Sequence, residues 1–333
     1  MNNKKVSMVE IAKLSGVSIA TVSRILNKNG RYSPETEKKV MDIINKYGYK
    51  VNLSAKSLRT SKTQSIGIIV PDITNEFFAK IIRSVEISLL QKGYTLFVCD
   101  SNEDGEIEEK HISSLAAKDV DGIIYISTKP DVQKIYDEYK IPVVYIDRRP
   151  KNAGTLIISD NEMGGFLATE ELIKSGCRKI VMLRDKHDYS TVLHRKKGYI
   201  DAHEKYGIQM NTKLIIKSQV NYFSAHDAIK DLIDSETEFD GIFCNNDLMA
   251  TGALHALREA KIKVPKNVKI VGFDGTYLSE ICDPPLTTVK QNTELLGEKS
   301  VEALLNLIKH EKNDNQVYVV PVELEKRNST KTK

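Results

Sequence analysis

The amino-acid sequence predicts an α/β protein: a small all-α head followed by two doubly wound parallel sheets. After residue 61, apolar segments of strand length alternate with amphipathic stretches of helical period. Before residue 50, apolar side chains recur only at helical spacing. The chain has 333 residues, of which 41% are hydrophobic, enough to bury more than one core.

Three short helices are predicted for the head, the first two as a helix-turn-helix. An S-x-x-E capping box beginning at Ser7 opens the first helix. Gly16 permits a tight turn, and Ser18 caps a second helix predicted to reach Asn27. Ser33 and the proline after it open the third. The predicted core of the head consists of Ile11, Leu14, Val22, Ile25, Leu26, Val40, Ile43 and Ile44.

The charge of the chain is unevenly distributed. Residues 1 to 62 hold 13 Lys+Arg against 4 Asp+Glu, a net charge of +9, whereas the remainder carries −5. A basic segment of this kind favours a polyanionic partner. A disordered basic tail is the alternative, but such a tail would not need apolar residues at helical period. The head is therefore predicted to bind nucleic acid.

The second helix of a helix-turn-helix enters the major groove, where residues near its N-terminus reach base edges. Ile19 and Ala20 suit apolar contact with a thymine methyl group, and Arg24 suits bidentate donation to guanine. Phosphate contacts are predicted for the hydroxyl and amide side chains Ser18, Thr21, Ser23 and Asn27.

The stretch MVEIAKLSGVSIATVSRILN, followed by SPETEKKVMDIINKYGY and NLSAKSLRTSKT, resembles the N-terminal region of the LacI/GalR family of bacterial transcriptional repressors. The resemblance implies a hinge at 51–61 that becomes helical on operator DNA and wedges an apolar side chain into the minor groove. Val51 departs from the family, which usually has proline there. Besides the residues above, the expected DNA contacts are Ser7 in the head and Asn52, Ala55 and Leu58 in the hinge.

Seven apolar runs are predicted to form the strands of the larger region: SIGIIVPD, YTLFVCD, DGIIYIS, IPVVYID, RKIVMLRD, FDGIFCN and VKIVGFD. The helices predicted between them include Glu76–Lys92, Met163–Ser175, Ser224–Ser235 and Leu248–Ala260. This βαβ alternation indicates parallel sheets covered on both faces. Ligands of such sheets bind in a crevice outside the carboxyl ends of the strands.

Aromatic, carboxylate, guanidinium and amide side chains follow these strands, a set that suits a sugar. Each of these residues, taken singly, could instead have a purely structural role. Phe77 and Phe78 also suit a core, Asp147 could pair with Arg148, and Asp274 could cap a helix.

Residues 62 to about 328 resemble the effector-binding core of the same family, which is similar to periplasmic sugar-binding proteins. The resemblance implies two subdomains joined by three crossovers: an N-subdomain of about 62–160 and 293–320, and a C-subdomain of about 161–290 and 321–330. The ribose binders match best, so ribose is the implied effector. The implied ligand contacts are Asn75, Phe77, Phe78, Asp147, Arg148, Arg195, Phe223, Asn246, Asp274 and Gln291.

Other classes of protein are disfavoured. No G-x-G-x-x-G follows the first strand, and no Ser-His-Asp or Cys-His set indicates a nucleophilic enzyme. The four cysteines are far apart, so neither a zinc site nor disulfides are expected. No apolar run has the length of a membrane span, and no signal segment is recognised, so a cytoplasmic location is expected.

The sequence therefore predicts a homodimeric, cytoplasmic repressor of a sugar-utilisation operon, without cofactor or metal, that ribose releases from a palindromic operator. The alternatives are another pentose or phosphorylated ribose, a purine, or a phosphoprotein corepressor.

Overall fold

The computed structural model describes residues 6–26, 28–49, 62–126, 138–150, 154–309 and 316–331. The chain divides into two compact units, the head up to Thr63 and the core from Gln64 onward. Within the described ranges, no helix combines the length and apolarity needed to cross a bilayer.

The head contains helices α1 (Met8–Ser15), α2 (Ile19–Leu26) and α3 (Pro34–Tyr47). The predicted capping box is present: the Glu10 amide donates to Ser7 Oγ at 3.3 Å, and the Ser7 amide donates to Glu10 Oε2 at 2.7 Å. Gly16 follows α1 with a φ of 64°, in the left-handed region that favours glycine.

Six buried residues form the centre of the head: Ile11, Ala12, Val22, Ile25, Val40 and Ile44. Leu26 and Ile43 pack against them while only partly buried. The prediction that Leu14 belongs to this core is wrong, since its side chain is 48% exposed. Ser15, four residues after Ile11, takes the inward position and donates its hydroxyl to the Ile11 carbonyl at 2.6 Å.

The core holds two six-stranded sheets among the described residues. Its strands are β1 (Ser65–Val70), β2 (Thr95–Asp100), β3 (Gly122–Tyr125), β4 (Val143–Ile146), β5 (Thr155–Ser159), β6 (Ile180–Asp185), β7 (Ile215–Ser218), β8 (Gly241–Cys244), β9 (Lys269–Asp274), β10 (Thr287–Gln291), β11 (Val317–Val320) and β12 (Val322–Glu325). Sheet 1 has the order β11-β5-β4-β3-β1-β2 and is parallel throughout. Sheet 2 has the order β12-β10-β9-β8-β6-β7, and β12 alone among them runs antiparallel to its neighbour.

The helices of the core are α4 (Glu76–Gln91), α5 (Gly105–Ala117), α6 (Asn161–Lys174), α7 (Ser190–Lys205), α8 (Tyr222–Asp234), α9 (Asp247–Glu259), α10 (Tyr277–Ile281) and α11 (Thr293–Ile308). The four helices predicted from the sequence lie within two residues of the observed ends. Helices α4 and α11 pack on one face of sheet 1 and α5 on the other. Helices α8 and α9 cover one face of sheet 2, and α6 and α7 the other. The doubly wound prediction is confirmed.

Within the described residues, the chain passes between the two sheets three times, each time through a single residue. Asp160 links β5 to α6, Asn292 links β10 to α11, and Pro321 links β11 to β12. Asp160 Oδ1 accepts from the Met163 amide at 3.0 Å, and Asn292 Oδ1 accepts from the Leu295 amide at 2.9 Å. Two of the three links are therefore also helix N-caps.

Two glycines allow helices α6 and α7 to cross closely. A Cβ on Gly198 would lie 2.0 Å from the Glu162 carbonyl oxygen, and one on Gly165 would lie 2.1 Å from the Arg195 carbonyl oxygen. Neither position has room for a side chain. The crossing fixes the backbone from which Arg195 extends.

Candidate functional site

Helix α2 presents one apolar and one polar face. Val22 and Ile25 are buried in the head, whereas Ile19, Ala20 and Arg24 are exposed. The exposed fraction of the Ile19 side chain is 46%. The exposed face is cationic and partly apolar, as a surface that reads base edges requires.

The hydroxyl groups at the start of α2 form its cap. Ser18 Oγ lies 2.9 Å from Thr21 Oγ1 and accepts from the Thr21 amide at 3.1 Å. Ser18 is exposed, while Thr21 and Ser23 are half-buried, and Ser7 is exposed at the start of α1. The remaining DNA-binding candidates, Asn27, Asn52, Ala55 and Leu58, lie outside the described residues.

A cavity of about 360 Å³ lies at the carboxyl ends of strands from both sheets. Segments that follow β1, β2, β4, β7 and β8 line it, together with the last residues of β6 and β9. Eight of the ten predicted ligand residues are in its wall: Asn75, Phe77, Phe78, Asp147, Arg148, Arg195, Asn246 and Asp274.

Phe77 and Phe78 serve two purposes. Both are buried in the core beneath sheet 1, with their ring centroids 5.3 Å apart, and both also line the cavity. Asn75 caps α4 by accepting from the Phe77 amide at 3.0 Å, which fixes the start of this helix at the wall. A role in the core is therefore compatible with a place in the cavity wall, and contact of these phenylalanines with a ligand stays a prediction.

Arg148 is held from two directions. Its Nη2 donates to Glu103 Oε1 at 2.9 Å, and its guanidinium carbon lies 3.8 Å from the centroid of the Tyr189 ring. Arg148 therefore pairs with Glu103 rather than with the neighbouring Asp147. Stacking on a ring keeps the planar guanidinium in one orientation.

Arg195 is buried and lies at the centre of a polar network. Its Nε donates to Asn161 Oδ1 at 2.8 Å, its Nη1 donates to the Asn245 carbonyl, and its guanidinium carbon lies 3.7 Å from the Phe273 ring centroid. Asp274 Oδ1 is 4.0 Å from Nη1. Burial lowers the pKa of Arg195, and the carboxylates nearby oppose that shift.

The two central carboxyls of the cavity occupy an unusual backbone conformation. Asp147 has a φ of 65° and Asp274 a φ of 108°, values that residues other than glycine seldom adopt. Burial raises the pKa of both, and nearby Arg195 opposes the shift in each case. Strained, desolvated carboxyls of this kind cluster at functional sites.

Gln291 does not line the cavity, contrary to the expectation of direct contact. Its Nε2 donates to Asp274 Oδ1 at 2.7 Å, so it orients the carboxylate from behind. Gln291 is the last residue of β10, beside β9, which places its side chain next to Asp274.

Phe223 is also absent from the cavity wall, and its side chain is 74% exposed. Helix α8 begins at Tyr222, and the preceding residues Gln219, Val220 and Asn221 face the cavity instead. The Phe223 ring meets the ring of Tyr222 edge to face, with centroids 5.3 Å apart.

Several wall residues were not predicted from the sequence. They include Asn102, Glu103, Asp185, Tyr189, Thr191 and Asn245. Asp185 ends β6 as Asp274 ends β9, so the strand-end rule applied to every strand would have found it.

Some side-chain polar atoms on residues of the cavity wall are buried without a partner in the described part of the chain. They are Asp147 Oδ1, Arg148 Nη1 and both side-chain amide atoms of Asn245. Leaving such a group unsatisfied costs about 1–3 kcal/mol. Both acceptors and donors are present among these atoms, which suits a ligand that carries several hydroxyl groups.

Comparison with known proteins agrees with this architecture. The family model described as "Periplasmic binding proteins and sugar binding domain of LacI family" matches residues 63–328. The model described as "Bacterial regulatory proteins, lacI family" matches residues 7–52.

Three similar curated proteins, each a transcriptional regulator, align with this chain over nearly their whole length. The HTH-type transcriptional regulator RegA of Clostridium saccharobutylicum is 34% identical, over 97% of this chain and 99% of its own. The ribose operon repressor of Halalkalibacterium halodurans is 34% identical, over 97% and 96%. The HTH-type transcriptional repressor PurR of Mannheimia succiniciproducens is 32% identical, over 97% and 98%.

Two solved structures extend the likeness. The lac repressor dimer bound to operator and the anti-inducer ONPF has a TM-score of 0.86 at 26% identity, covering 98% of this chain and 99% of its own. A LacI family regulator from Enterococcus faecium with bound ribose has a TM-score of 0.72 at 26% identity, covering 80% and 98%. The chain belongs to the LacI family of bacterial transcriptional regulators, and it is a DNA-binding regulator rather than an enzyme.

Proposed function

We propose that this regulator represses a sugar-utilisation operon and that ribose, bound in the cavity, releases it from its operator. The observation that carries the proposal is the set of unpartnered polar atoms on Asp147, Arg148 and Asn245. Hydroxyl groups both donate and accept, so one polyol satisfies carboxylate, guanidinium and amide atoms together. Buried Phe77 and Phe78 offer apolar surface for the C–H face of a sugar ring.

The comparisons support ribose without excluding a purine. A ribose operon repressor is among the relatives, and one similar structure holds ribose. PurR repressors are related at nearly the same identity, which favours a purine as the second candidate. The presence of both Asp147 and Arg148 in the cavity wall favours the sugar, because a purine needs fewer bidentate charged partners.

The DNA contacts are proposed for the exposed face of α2. Arg24 would donate to guanine, and Ile19 and Ala20 would contact thymine methyl groups in the major groove. The segment 51–61 is proposed as the hinge, with Leu58 entering the minor groove. An operator partner requires the chain to act in the cytoplasm, where the DNA is.

A homodimer is proposed because the core exposes apolar side chains, and two of these surfaces suit an interface. One surface belongs to α4 and the edge strand β2, where Leu90 is 72% exposed, and the other belongs to α10. A twofold dimer would cover both surfaces with their own copies and match a palindromic operator. The exposed residues are Ile87, Leu90, Phe97, Val98, Tyr277 and Ile281.

The proposal is tested by ribose titration against a DNA duplex that the full chain selects from a random pool. Fluorescence anisotropy should report DNA release as ribose saturates the cavity, because a ligand that binds the two states unequally shifts their populations. Calorimetry with ribose, ribose 5-phosphate, allose and hypoxanthine identifies the effector. Unchanged DNA affinity at saturating ribose rejects ribose as inducer. Release by hypoxanthine supports the purine instead, and heat from none of them favours a protein corepressor.

A further inference from the structure

Helices α8 and α9 carry a side-chain cluster that lies outside the cavity wall. It consists of His226 on α8 and of His255 and Glu259 on α9, with one ligand atom from each residue within 4.8 Å of the others. We propose that this cluster binds a zinc ion through His226 Nε2, His255 Nε2 and the Glu259 carboxylate. Two imidazoles and a carboxylate, with water in the fourth position, form a common zinc environment.

The distances bring both Nε2 atoms to the same carboxylate. His226 Nε2 lies 2.9 Å from Glu259 Oε2, and His255 Nε2 lies 3.5 Å from Glu259 Oε1. The two imidazole centroids are 5.3 Å apart. Three potential ligand atoms thus converge on one point at the surface between the helices.

The opposite nitrogen of each imidazole already has an oxygen partner. His226 Nδ1 is 2.9 Å from Asp227 Oδ1, and His255 Nδ1 pairs with the Tyr222 hydroxyl. Metal-binding histidines almost always have such a partner, which fixes the ring and leaves the other nitrogen for the metal. Both rings are therefore oriented as ligands before any ion binds.

The helices that carry the cluster are packed tightly, so its geometry is set by the core. A Cβ on Gly252 would lie 2.3 Å from the Tyr222 carbonyl oxygen, which brings α9 against the first turn of α8. His255 and Glu259 are four residues apart and so share one face of α9.

The charge of the cluster favours a cation. The carboxylates of Asp227 and Glu259 each lie 2.9 Å from a ring nitrogen of His226, so the surroundings of this ring are anionic. A proton and a zinc ion compete for the same Nε2 atom. His255 and Glu259 are exposed, which gives the ion access.

Zinc at this cluster would tie together two segments of the cavity wall. Helix α8 begins directly after Gln219–Asn221, and α9 is capped by Asn246, all of which line the cavity. The cysteine pattern could not indicate this site, because its candidate ligands are two histidines and a glutamate on two different helices. The site does not depend on the identity of the effector.

The test is calorimetric titration of the full chain with zinc chloride at about pH 8, because protons compete with the metal for imidazole nitrogens more strongly at lower pH. One zinc ion per chain is expected, and His226→Ala and His255→Ala should each weaken binding by more than about tenfold. His194→Ala, a histidine elsewhere in the core, serves as the matched control and should bind zinc like the parent. No zinc binding by the parent, or equal affinity in all variants, overturns the proposal.

A second pair of variants tests the orientation of the ligands while keeping every ligand in place. Asp227→Ala and Tyr222→Phe remove the partners of the two Nδ1 atoms and should weaken zinc binding about tenfold. Zinc at a large excess over its dissociation constant should also raise the Tm of the parent by about 5 °C, and that of His226→Ala by much less. Circular dichroism confirms that each variant is folded. Equal Tm shifts in parent and His226→Ala would place the ion elsewhere.

Discussion

The head and the cavity place their candidate functional side chains in opposite surroundings. On α2 the groups proposed to contact DNA, Ile19, Ala20 and Arg24, are exposed, and Val22 and Ile25 on the other face provide the packing. Recognition and packing are thus carried by different residues. A change on the exposed face should alter binding and leave the stability of the head as it was.

In the cavity the side chains proposed to contact the ligand also take part in the packing. Arg195 and Asp274 are buried, and Asn161, Phe273 and Gln291 hold them in place. A buried charge that loses a partner destabilises the fold as well as the site. A cavity built from such a network is pre-organised, but its ligand specificity cannot change without a cost to the stability of the fold.

Gly198→Ala has the largest expected effect and acts on the cavity side. The new Cβ would lie 2.0 Å from the backbone carbonyl of Glu162, so the α6–α7 crossing must open and Arg195 must shift. The free energy of unfolding in urea should fall by about 3 kcal/mol. Gly207→Ala is the control: it has a φ of 63° and open space around it, so backbone strain alone should cost about 1 kcal/mol. Equal losses in both variants would contradict the crowding argument.

Asp247 makes the stability of the cavity region depend on pH. Burial raises its pKa to about 6, against hydrogen bonds donated by Thr288 and Thr276. The folded chain therefore holds a proton that the unfolded chain has lost between about pH 4 and 6, and the free energy of unfolding falls by about 3 kcal/mol as pH rises through this range.

Asp247→Asn tests this assignment, because asparagine does not titrate. Urea unfolding at several pH values should show a decrease between pH 4 and 6 that is smaller by about 3 kcal/mol than in the parent. An unchanged slope would assign the pH dependence to other groups.

Asp274→Ala should weaken ribose binding about 100-fold, because it removes a buried acceptor from the cavity wall. Operator affinity should be retained, which gives a repressor that cannot be induced. Calorimetry and anisotropy measure the two properties, with Asp234→Ala on the exposed face of α8 as control. Loss of DNA binding in Asp274→Ala would show that the residue is structural.

Arg24→Ala in the head should change DNA recognition and leave the stability of the head unchanged. Discrimination at one operator base pair should fall by about 1–3 kcal/mol, while the free energy of unfolding should stay within about 0.5 kcal/mol of the parent. Anisotropy with single-base variants of the operator measures the discrimination. Lys13→Ala, on α1, keeps the base preference if Arg24 is the residue that reads it.

Phe223→Ala has the smallest expected effect and tests the candidate that lies outside the cavity wall. If closure of the two sheets covers the sugar with this exposed ring, ribose affinity should fall about tenfold while stability is unchanged. Tyr318→Ala, an exposed aromatic residue on β11, is the control in calorimetry. Unchanged affinity would remove Phe223 from the site.

Local patterns were sufficient for much of the fold. The capping box at Ser7 and the alternation of strands and helices follow from spacing, because each element buries one face with a fixed period. Leu14 was misplaced because both it and Ser15 lie near the buried side of a short helix, and spacing alone does not rank them. Strand ends likewise predicted most of the cavity wall, since parallel strands bring their carboxyl ends to one edge.

Contacts between residues that are distant in the chain could not be predicted from the sequence. The stacking of Tyr189 on Arg148 and the position of Gln291 behind Asp274 depend on side-chain directions that residue order does not specify. The same holds for His226 and Glu259, which meet only because α8 and α9 pack together.

The three single-residue links have a consequence for how a ligand would be sensed. With Asp160 and Asn292 committed as helix caps, and the ring of Pro321 fixing its own φ, few backbone torsions remain to absorb relative rotation of the two sheets. We expect such a connection to permit rotation of the two sheets about one axis and to oppose their translation or twisting relative to each other. Ligand binding in the cavity would then change a single angle between the two sheets, and a second copy of the chain would respond to that change.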